Sequence, residues 1–395
     1  MAARSLPDLA PRSCSQADRR FRVAIVTSIH PDFDSRIWKH AKSLAARGHI
    51  VHLVCPWNVA CETMSGVQLH PFPRVNSRAR RLLQIPARLM PRLIPLLREV
   101  DLVHFHDIDI LPWMSLLSVF KSVVYDIHEN YAEEMRVRDW VSPKLRTPLA
   151  FTVRWGQIAL AWPVRNVVLV AQSQESDFSS RRFRRFYLRN YASLELSLGT
   201  EDNYSVRKDA VIFSGSQHVN NGSLLLLDIA EMMLKIRPEM RFYTVDRFAN
   251  AQFRSRVLGQ IESRALNNVE LLPNLKPHEL MTTLNKATIA LSPNLRVPQQ
   301  IHGVHTKLFE YMAAGLPVVA SDLPHQVEVI GGNQAGLLAK PEDPDSFVTA
   351  IERLASDRSL AAQLGRQGQS AFRSKYCWEG QIDALEDYYK VVLGR

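Results

Sequence analysis

Residues 299 to 323 read QQIHGVHTKLFEYMAAGLPVVASDL, and they set a lysine and a glutamate three positions apart directly after a glycine-containing turn. The turn His302-Gly303-Val304 leads into a helix expected to start near Thr306, stop at Gly315 and give way through Leu316-Pro317 to the apolar strand VVAS. On that helix Lys307, Glu310 and Ala314 share a face, while Leu308, Phe309, Met312 and Ala313 turn to the interior. A helix start after a glycine exposes backbone N–H groups that suit a phosphate. Lys307 adds full charge there, and the Glu310 carboxylate offers acceptor oxygens of the kind that hold ribose hydroxyls. The competing reading is a surface Lys–Glu pair of little energetic worth.

Three further segments put chemistry at strand ends. The loop IHPDFDSR follows the strand FRVAIVTS and offers His30, Asp32, Asp34 and Arg36 on the acceptor side, against ordinary helix capping by Asp34 or Ser35. DLVHFHDID brings His104, His106, Asp107 and Asp109 to the end of another strand, and SVVYDIHENYAEEM does the same with Asp126, His128, Glu129 and Glu133. Imidazole and carboxylate together suit zinc or iron. Their spacing matches no metal-ligand motif, so no metal is expected.

The elements that must position these residues form two strand-helix-strand series. Apolar runs at FRVAIVTS, IVHLV, DLVHF, SVVYDI and NVVLVAQS read as buried parallel strands of a first domain, residues 21–193. A polar linker spans 194–209. A second domain, 210–374, opens with AVIFSGS, the loop QHVNNG and an apolar helix from Ser223 to Ile236, and continues through MRFYTV, NVELLPNL, ATIALSP, VVAS and AGLLAK. Residues 375–395 form a final amphipathic helix, and residues 1–20 read as a disordered leader.

With 395 residues, 46% hydrophobic and 22% charged, the chain is of ordinary globular composition and long enough for two domains. Its longest apolar run, Ile110 to Phe120, is too short to span a bilayer, and the first twenty residues lack a signal-peptide core. Four scattered cysteines make no disulfide framework, which points to a reducing cytoplasm. The net charge of +10 concentrates in residues 74–98 and 181–189, where arginines alternate with large apolar residues. That pattern suits an anionic membrane surface as well as a solvated basic face. Pro86, Pro91 and Pro95 argue against one continuous helix in the first stretch. Without aromatic stacking platforms or an RNA motif, nucleic acid is not an expected partner.

The string TKLFEYMAAGLPVVASD resembles the nucleotide-sugar-binding segment of family-4-like (group 1) glycosyltransferases, in its K-L-F-E-Y variant, and DIHEN resembles the strand end beside the donor sugar in the same group. The resemblance runs from residue 21 to the end and implies the α/β GT-B fold: two Rossmann-like domains facing each other across a cleft, with the C-terminal helix crossing back to the first. It implies a nucleoside diphosphate sugar, UDP-sugar before GDP-sugar, as co-substrate with no required cofactor, and a glycan or lipid-linked acceptor. By the same resemblance Glu310 holds the donor ribose and His128 is the foremost catalytic candidate, with Asp126 and Asp107 behind it and His106 on the acceptor side. Gly215 and the segment at Leu275 would line the diphosphate and base. Where relatives carry a first Glu, an Arg and a Lys, this chain has His302, Ser216 and Asn221, so Lys307 and Arg296 are expected to supply the charge. The implied mechanism is metal-independent and retaining. An inverting enzyme with an Asp base, a GT-B epimerase and a non-catalytic partner subunit are the alternatives.

Overall fold

The computed structural model describes residues 20–395 apart from 31–33, 58–61, 76–77, 129, 138–140, 171–173, 198–203, 205–206, 275–276 and 302. Three of the candidate residues, Asp32, Leu275 and His302, therefore lie outside the described residues.

The first domain holds β1 (Arg22–Val26), β2 (Ile50–Cys55), β3 (Thr63–Met64), β4 (Val67–Pro71), β5 (Leu102–Phe105), β6 (Ser122–Ile127), β7 (Asn166–Leu169) and β8 (Arg184–Tyr187). They form one sheet in the order β3-β4-β2-β1-β5-β6-β7-β8, parallel throughout except for the short β3. The second domain holds β9 (Ala210–Phe213), β10 (Arg241–Val245), β11 (Val269–Leu272), β12 (Ile289–Ser292), β13 (Val318–Ser321) and β14 (Gly336–Ala339), a fully parallel sheet ordered β11-β10-β9-β12-β13-β14. Central strands such as β1 and β13 are apolar along their length because helices cover both faces, leaving Val23 to Val26 and Val318 to Ala320 with no exposed surface. In each sheet the order reverses at the first strand, β1 or β9, and that reversal opens a crevice at the carboxyl edge.

The last helix, Ile382–Leu393, lies on the first domain, not the second. Trp378, Ile382, Leu385, Tyr389 and Val392 join Val23, Ile25, Leu53 and Leu102 in one buried cluster. The Tyr389 hydroxyl reaches through that cluster to 2.9 Å from His40 Nε2 and 2.8 Å from His104 Nδ1.

Two local expectations are corrected. Arg78–Leu96 is one helix despite Pro86, Pro91 and Pro95. Ile85, Leu89, Leu93 and Leu96 recur on its buried face and anchor it in the core, whereas Pro91 and Pro95 stand on the exposed side. On that side, water can hydrate the carbonyls that the prolines leave without a donor. Thr306 is exposed and makes no capping hydrogen bond, so the helix begins at Lys307 and ends at Ala313. Gly315 does supply the stop, in a left-handed conformation with φ of 66°.

Candidate active site

On the second domain the site is built on the carboxyl ends of β9 and β10 and the Lys307–Ala313 helix. Leu308, Phe309, Tyr311 and Met312 bury that helix, and Tyr311 pins it: its hydroxyl accepts from the Ser214 backbone N–H at 3.0 Å and donates to Leu291 O at 3.3 Å. The opposite face carries the half-buried Lys307 and Glu310. Lys307 Nζ rests 4.3 Å above the centre of the Phe213 ring, and a Cβ on Gly215 would approach that nitrogen to 3.2 Å. A helix of only seven residues brings little dipole, so the positive charge offered here is that of the side chains.

Burial lowers the Lys307 ammonium to about 7, with nearby Arg247 acting in the same sense and Glu310 against it. Burial raises the Glu310 carboxyl, opposed by Arg247, Lys39 and Lys307. Glu310 thus stands among three cations, two of which the sequence reading did not single out. Arg247 follows β10 directly, and its guanidinium comes within 3.5 Å of Ser214 O while its carbonyl accepts from Gln217 N–H at 2.8 Å. Its signal was an arginine two residues past a buried parallel strand. Lys39 belongs to the first domain, on the Ser35–Ala46 helix, with Nζ 2.9 Å from Asn190 Oδ1; burial brings it down to about 8.

The other donor-side candidates divide. Ser216 is close by, its hydroxyl donating to Arg247 O at 3.3 Å. Asn221 ties loops together, donating to Ser216 O at 2.8 Å and accepting from Gln300 Nε2 at 3.0 Å. Gly222 beside it has a φ of 80°, and a Cβ there would fall 1.8 Å from Pro293 O, which brings this loop hard against the end of β12. Gly303 and Val304 are half-buried just ahead of Thr306. Arg296 is turned elsewhere: exposed, it donates to Asp322 O at 3.0 Å, and its backbone N–H goes to Glu342 Oε1. It does not stand beside Lys307 as the sequence led us to expect, whereas Arg247 lies near Ser214 and acts on Glu310 and Lys307.

On the first domain, β1, β5 and β6 bring the acceptor-side candidates to one edge. Asp126 and Arg36 form a buried ion pair, with two guanidinium contacts at 2.8 Å, and Arg36 also donates to Leu188 O. His104 and His106 lie 3.5 and 3.2 Å from the same carboxylate. Although burial opposes ionisation, Arg36 holds Asp126 well below the usual carboxylate range. A fully buried carboxylate committed to a guanidinium braces the sheet edge and has no path to an acceptor hydroxyl. The structure thus places the candidates Asp126 and Arg36 together in a buried ion pair.

His30, Asp107 and His128 meet at the mouth of this edge. His30 Nε2 is 3.0 Å from His128 Nε2 and 3.3 Å from Asp107 Oδ1, and its Nδ1 is 2.8 Å from Asp34 Oδ2. Burial disfavours charge on His30, but its bonds to Asp107 and Asp34 outweigh that and raise it to about 10. Burial lowers His128, and takes the fully buried His106 down to about 4. Burial and the neighbouring Asp107 raise Asp109 to about 6.

Two parallel-sheet domains, with a Lys–Arg–Glu set on one carboxyl edge and a His–Asp set on the other, define the GT-B class. The chain superposes on sucrose-phosphate synthase from Thermosynechococcus elongatus with a TM-score of 0.73 at 16% identity, covering 94% of this chain and 99% of that one. It matches HepE from Anabaena, in complex with UDP and glucose, with a TM-score of 0.72 at 14% identity over 94% of this chain and 100% of the other. Within the second domain, residues 208–357 match the family described as Glycosyl transferases group 1. Sequence relatives include an uncharacterized glycosyltransferase of Methanocaldococcus jannaschii, 29% identical over 84 residues, 21% of this chain and 22% of the relative. D-inositol 3-phosphate glycosyltransferase of Corynebacterium jeikeium is 27% identical over 122 residues, 31% of this chain and 28% of that protein. The matched stretches thus span only about a quarter of these relatives' own length.

Proposed function

We propose that this chain transfers a sugar from a nucleoside diphosphate sugar to an acceptor hydroxyl held by the first domain. The observation that carries the reading is the placement of Lys307, Arg247 and Glu310 near Gly215 on one edge, with Lys39 of the first domain close enough to act on Glu310. Lys307 and Arg247 neutralise charge as the diphosphate leaves, with no metal needed for that departure. Glu310 accepts from the ribose hydroxyls. UDP-sugar is the favoured donor, in keeping with the UDP-glucose complex of HepE, and GDP-sugar is the second choice. The acceptor oxygen bonds to the anomeric carbon as the bond to the diphosphate breaks, and the departing phosphate takes the acceptor's proton, so configuration is retained. The commitment of Asp126 to Arg36 supports this over an inverting route with that aspartate as base.

The acceptor is a glycan or a lipid-linked sugar of surface polysaccharide or glycolipid assembly, met at the cytoplasmic face of a membrane. The chain would dock there through an apolar stripe flanked by the basic stretches 74–98 and 181–189. Within those stretches Leu89, Leu93, Phe183 and Leu188 are buried, while Leu83 and Ile94 are exposed and remain available to lipid. A further exposed apolar surface is on the Leu111–Leu117 helix, the turn after it and the Pro143–Ala161 helix, where Leu116, Phe120, Phe151 and Trp155 are all more than half exposed.

A thermal-shift panel of UDP, GDP, ADP and their sugar conjugates against wild type and Glu310→Ala tests the donor site. One nucleotide family should stabilise the wild type, with its affinity reduced about 10- to 100-fold in the variant, the worth of hydrogen bonds to a charged group. No stabilisation by any nucleotide would sink the reading.

A further inference from the structure

The His30–Asp107–His128 cluster has the geometry of a ligand set. The three donor atoms, two imidazole nitrogens and one carboxylate oxygen, all lie within 4.8 Å of one another. His30 Nε2 is 3.0 Å from His128 Nε2 and 3.3 Å from Asp107 Oδ1. Adjacent ligands on a tetrahedral ion with bonds of about 2.0–2.1 Å stand about 3.3 Å apart, so the two separations from His30 already match edges of a coordination polyhedron.

The supporting contacts are those a metal site requires. His30 is oriented through its other ring nitrogen by Asp34, 2.8 Å away, and the second oxygen of Asp34 is fixed by the backbone N–H groups of Arg36 and Ile37. This is the carboxylate–histidine–metal arrangement. Asp107 is held in the same manner: its Oδ2 accepts from Thr27 Oγ1 at 2.9 Å and from Ser28 N–H at 2.6 Å. A separate observation points to a ligand. Asp107 is completely buried, and its Oδ1 is met by His30 Nε2 at 3.3 Å with no closer donor among the described residues. Behind it His106, also completely buried, pairs its Nδ1 with Asp126 Oδ2 at 3.2 Å and leaves Nε2 without a hydrogen bond, and His106, Asp126 and His128 form a second overlapping set. An unpaired buried polar atom of this kind is costly unless something occupies the space beside it.

We propose that His30, Asp107 and His128 bind one first-row divalent transition ion, with His106 beside it. Two imidazoles and one carboxylate favour Zn2+ or Fe2+ over Mg2+ or Ca2+. The His30 side chain is 12% exposed and His128 is half-buried, so the ion keeps a coordination position open to the cleft. The ion stands on the acceptor edge, apart from the Lys307–Arg247 diphosphate site, and its binding does not depend on whether the chain transfers a sugar. The sequence led us to expect no metal because its ligands come from three separate strand ends, where no local spacing reveals them.

The test uses the full-length, tag-free chain stripped with a chelator. Titration with Zn2+ by calorimetry and with Co2+ by visible absorption should give one tight equivalent per chain and the d–d bands of a nitrogen–oxygen site. His30→Ala, on the partly open side, should weaken Zn2+ about 10- to 100-fold or more while the fold persists by circular dichroism, and Asp107→Asn should act in the same direction. His70→Gln, on the opposite flank of the sheet, should leave binding unchanged. Absence of a stoichiometric equivalent in the wild type, as when a proton on His30 alone holds the cluster together, overturns the proposal. So does Zn2+ binding that His30→Ala leaves untouched.

Discussion

Lys307 is charged or neutral depending on what stands in front of it. In the free protein its ammonium is desolvated against the Phe213 ring and sits at about 7. A diphosphate at Gly215 supplies the counter-charge that burial removed, so binding raises this value. Below about pH 7 the lysine is already protonated and donor affinity is level; above it, binding must take up a proton, and affinity falls by up to about tenfold per pH unit. A UDP-sugar is the right probe, because its doubly esterified diphosphate does not titrate in this range. Calorimetry at pH 8 in two buffers of different ionisation enthalpy should show proton uptake on binding, and Lys307→Met should abolish both the uptake and the slope. Binding without proton uptake in the wild type would remove Lys307 from the phosphate site. Lys307 and Glu310 were legible in the sequence because a glycine turn, a short amphipathic helix and a buried strand follow one another within 25 residues. Arg247 was not, since a lone arginine after a strand becomes informative only once β10 is known to lie beside β9.

Among the elements, the buried parallel strands were the most readable, because coverage on both faces leaves near-continuous apolar runs such as FRVAIV and VVAS. The helices were less so. In Arg78–Leu96 local chemistry argued for a break, and the buried face of Ile85, Leu89 and Leu93 prevailed. That outcome also narrows the membrane question, since Ile85, Leu89, Leu93 and Leu96 are spent on the core while Leu83 and Ile94 of that helix stay exposed. The Pro143–Ala161 helix buries only Ala150, Gln157 and Ala161 and turns Phe151 and Trp155 outward, their rings 6.0 Å apart. It packs beside the Leu111–Leu117 helix, which leaves Leu116 and then Phe120 exposed. Aromatic residues of this kind partition to the headgroup region, and on the proposed reading Arg182, stacked over Trp162, would add attraction to anionic lipid. Flotation with vesicles containing phosphatidylglycerol should therefore recover the protein at low salt, and Phe151→Ser with Trp155→Ser should weaken binding roughly tenfold or more, from the apolar area withdrawn. Equal flotation of wild type and variant would exclude this face.

At the scale of the whole molecule the chain is closed on itself by its last helix. The segment that begins at Trp378 leaves the second domain, yet its Leu385, Tyr388 and Tyr389 are core residues of the first. Tyr389 does more than fill space, because its hydroxyl is shared by His40 and His104 directly behind the His106–Asp126 edge. Arg47 and His49 also meet Glu386, and Arg395 meets Asp101, so polar contacts flank the apolar ones. The first domain is thus incomplete without residues supplied from beyond the second, and the active-site edge of β1 and β5 inherits its rigidity from the C-terminus. Leu385→Ala should cost about 2–5 kcal/mol, the usual range for a large-to-small change in a packed core. The loss should fall unevenly: by hydrogen exchange, amides of β1, β2 and β5 should lose protection, while β9, β12 and β13 keep theirs and UDP still protects the Lys307 helix. Uniform loss across both sheets would mean that the two domains unfold as one unit. Unchanged protection in β1 would mean that the tail is an appendage and the first domain stands without it.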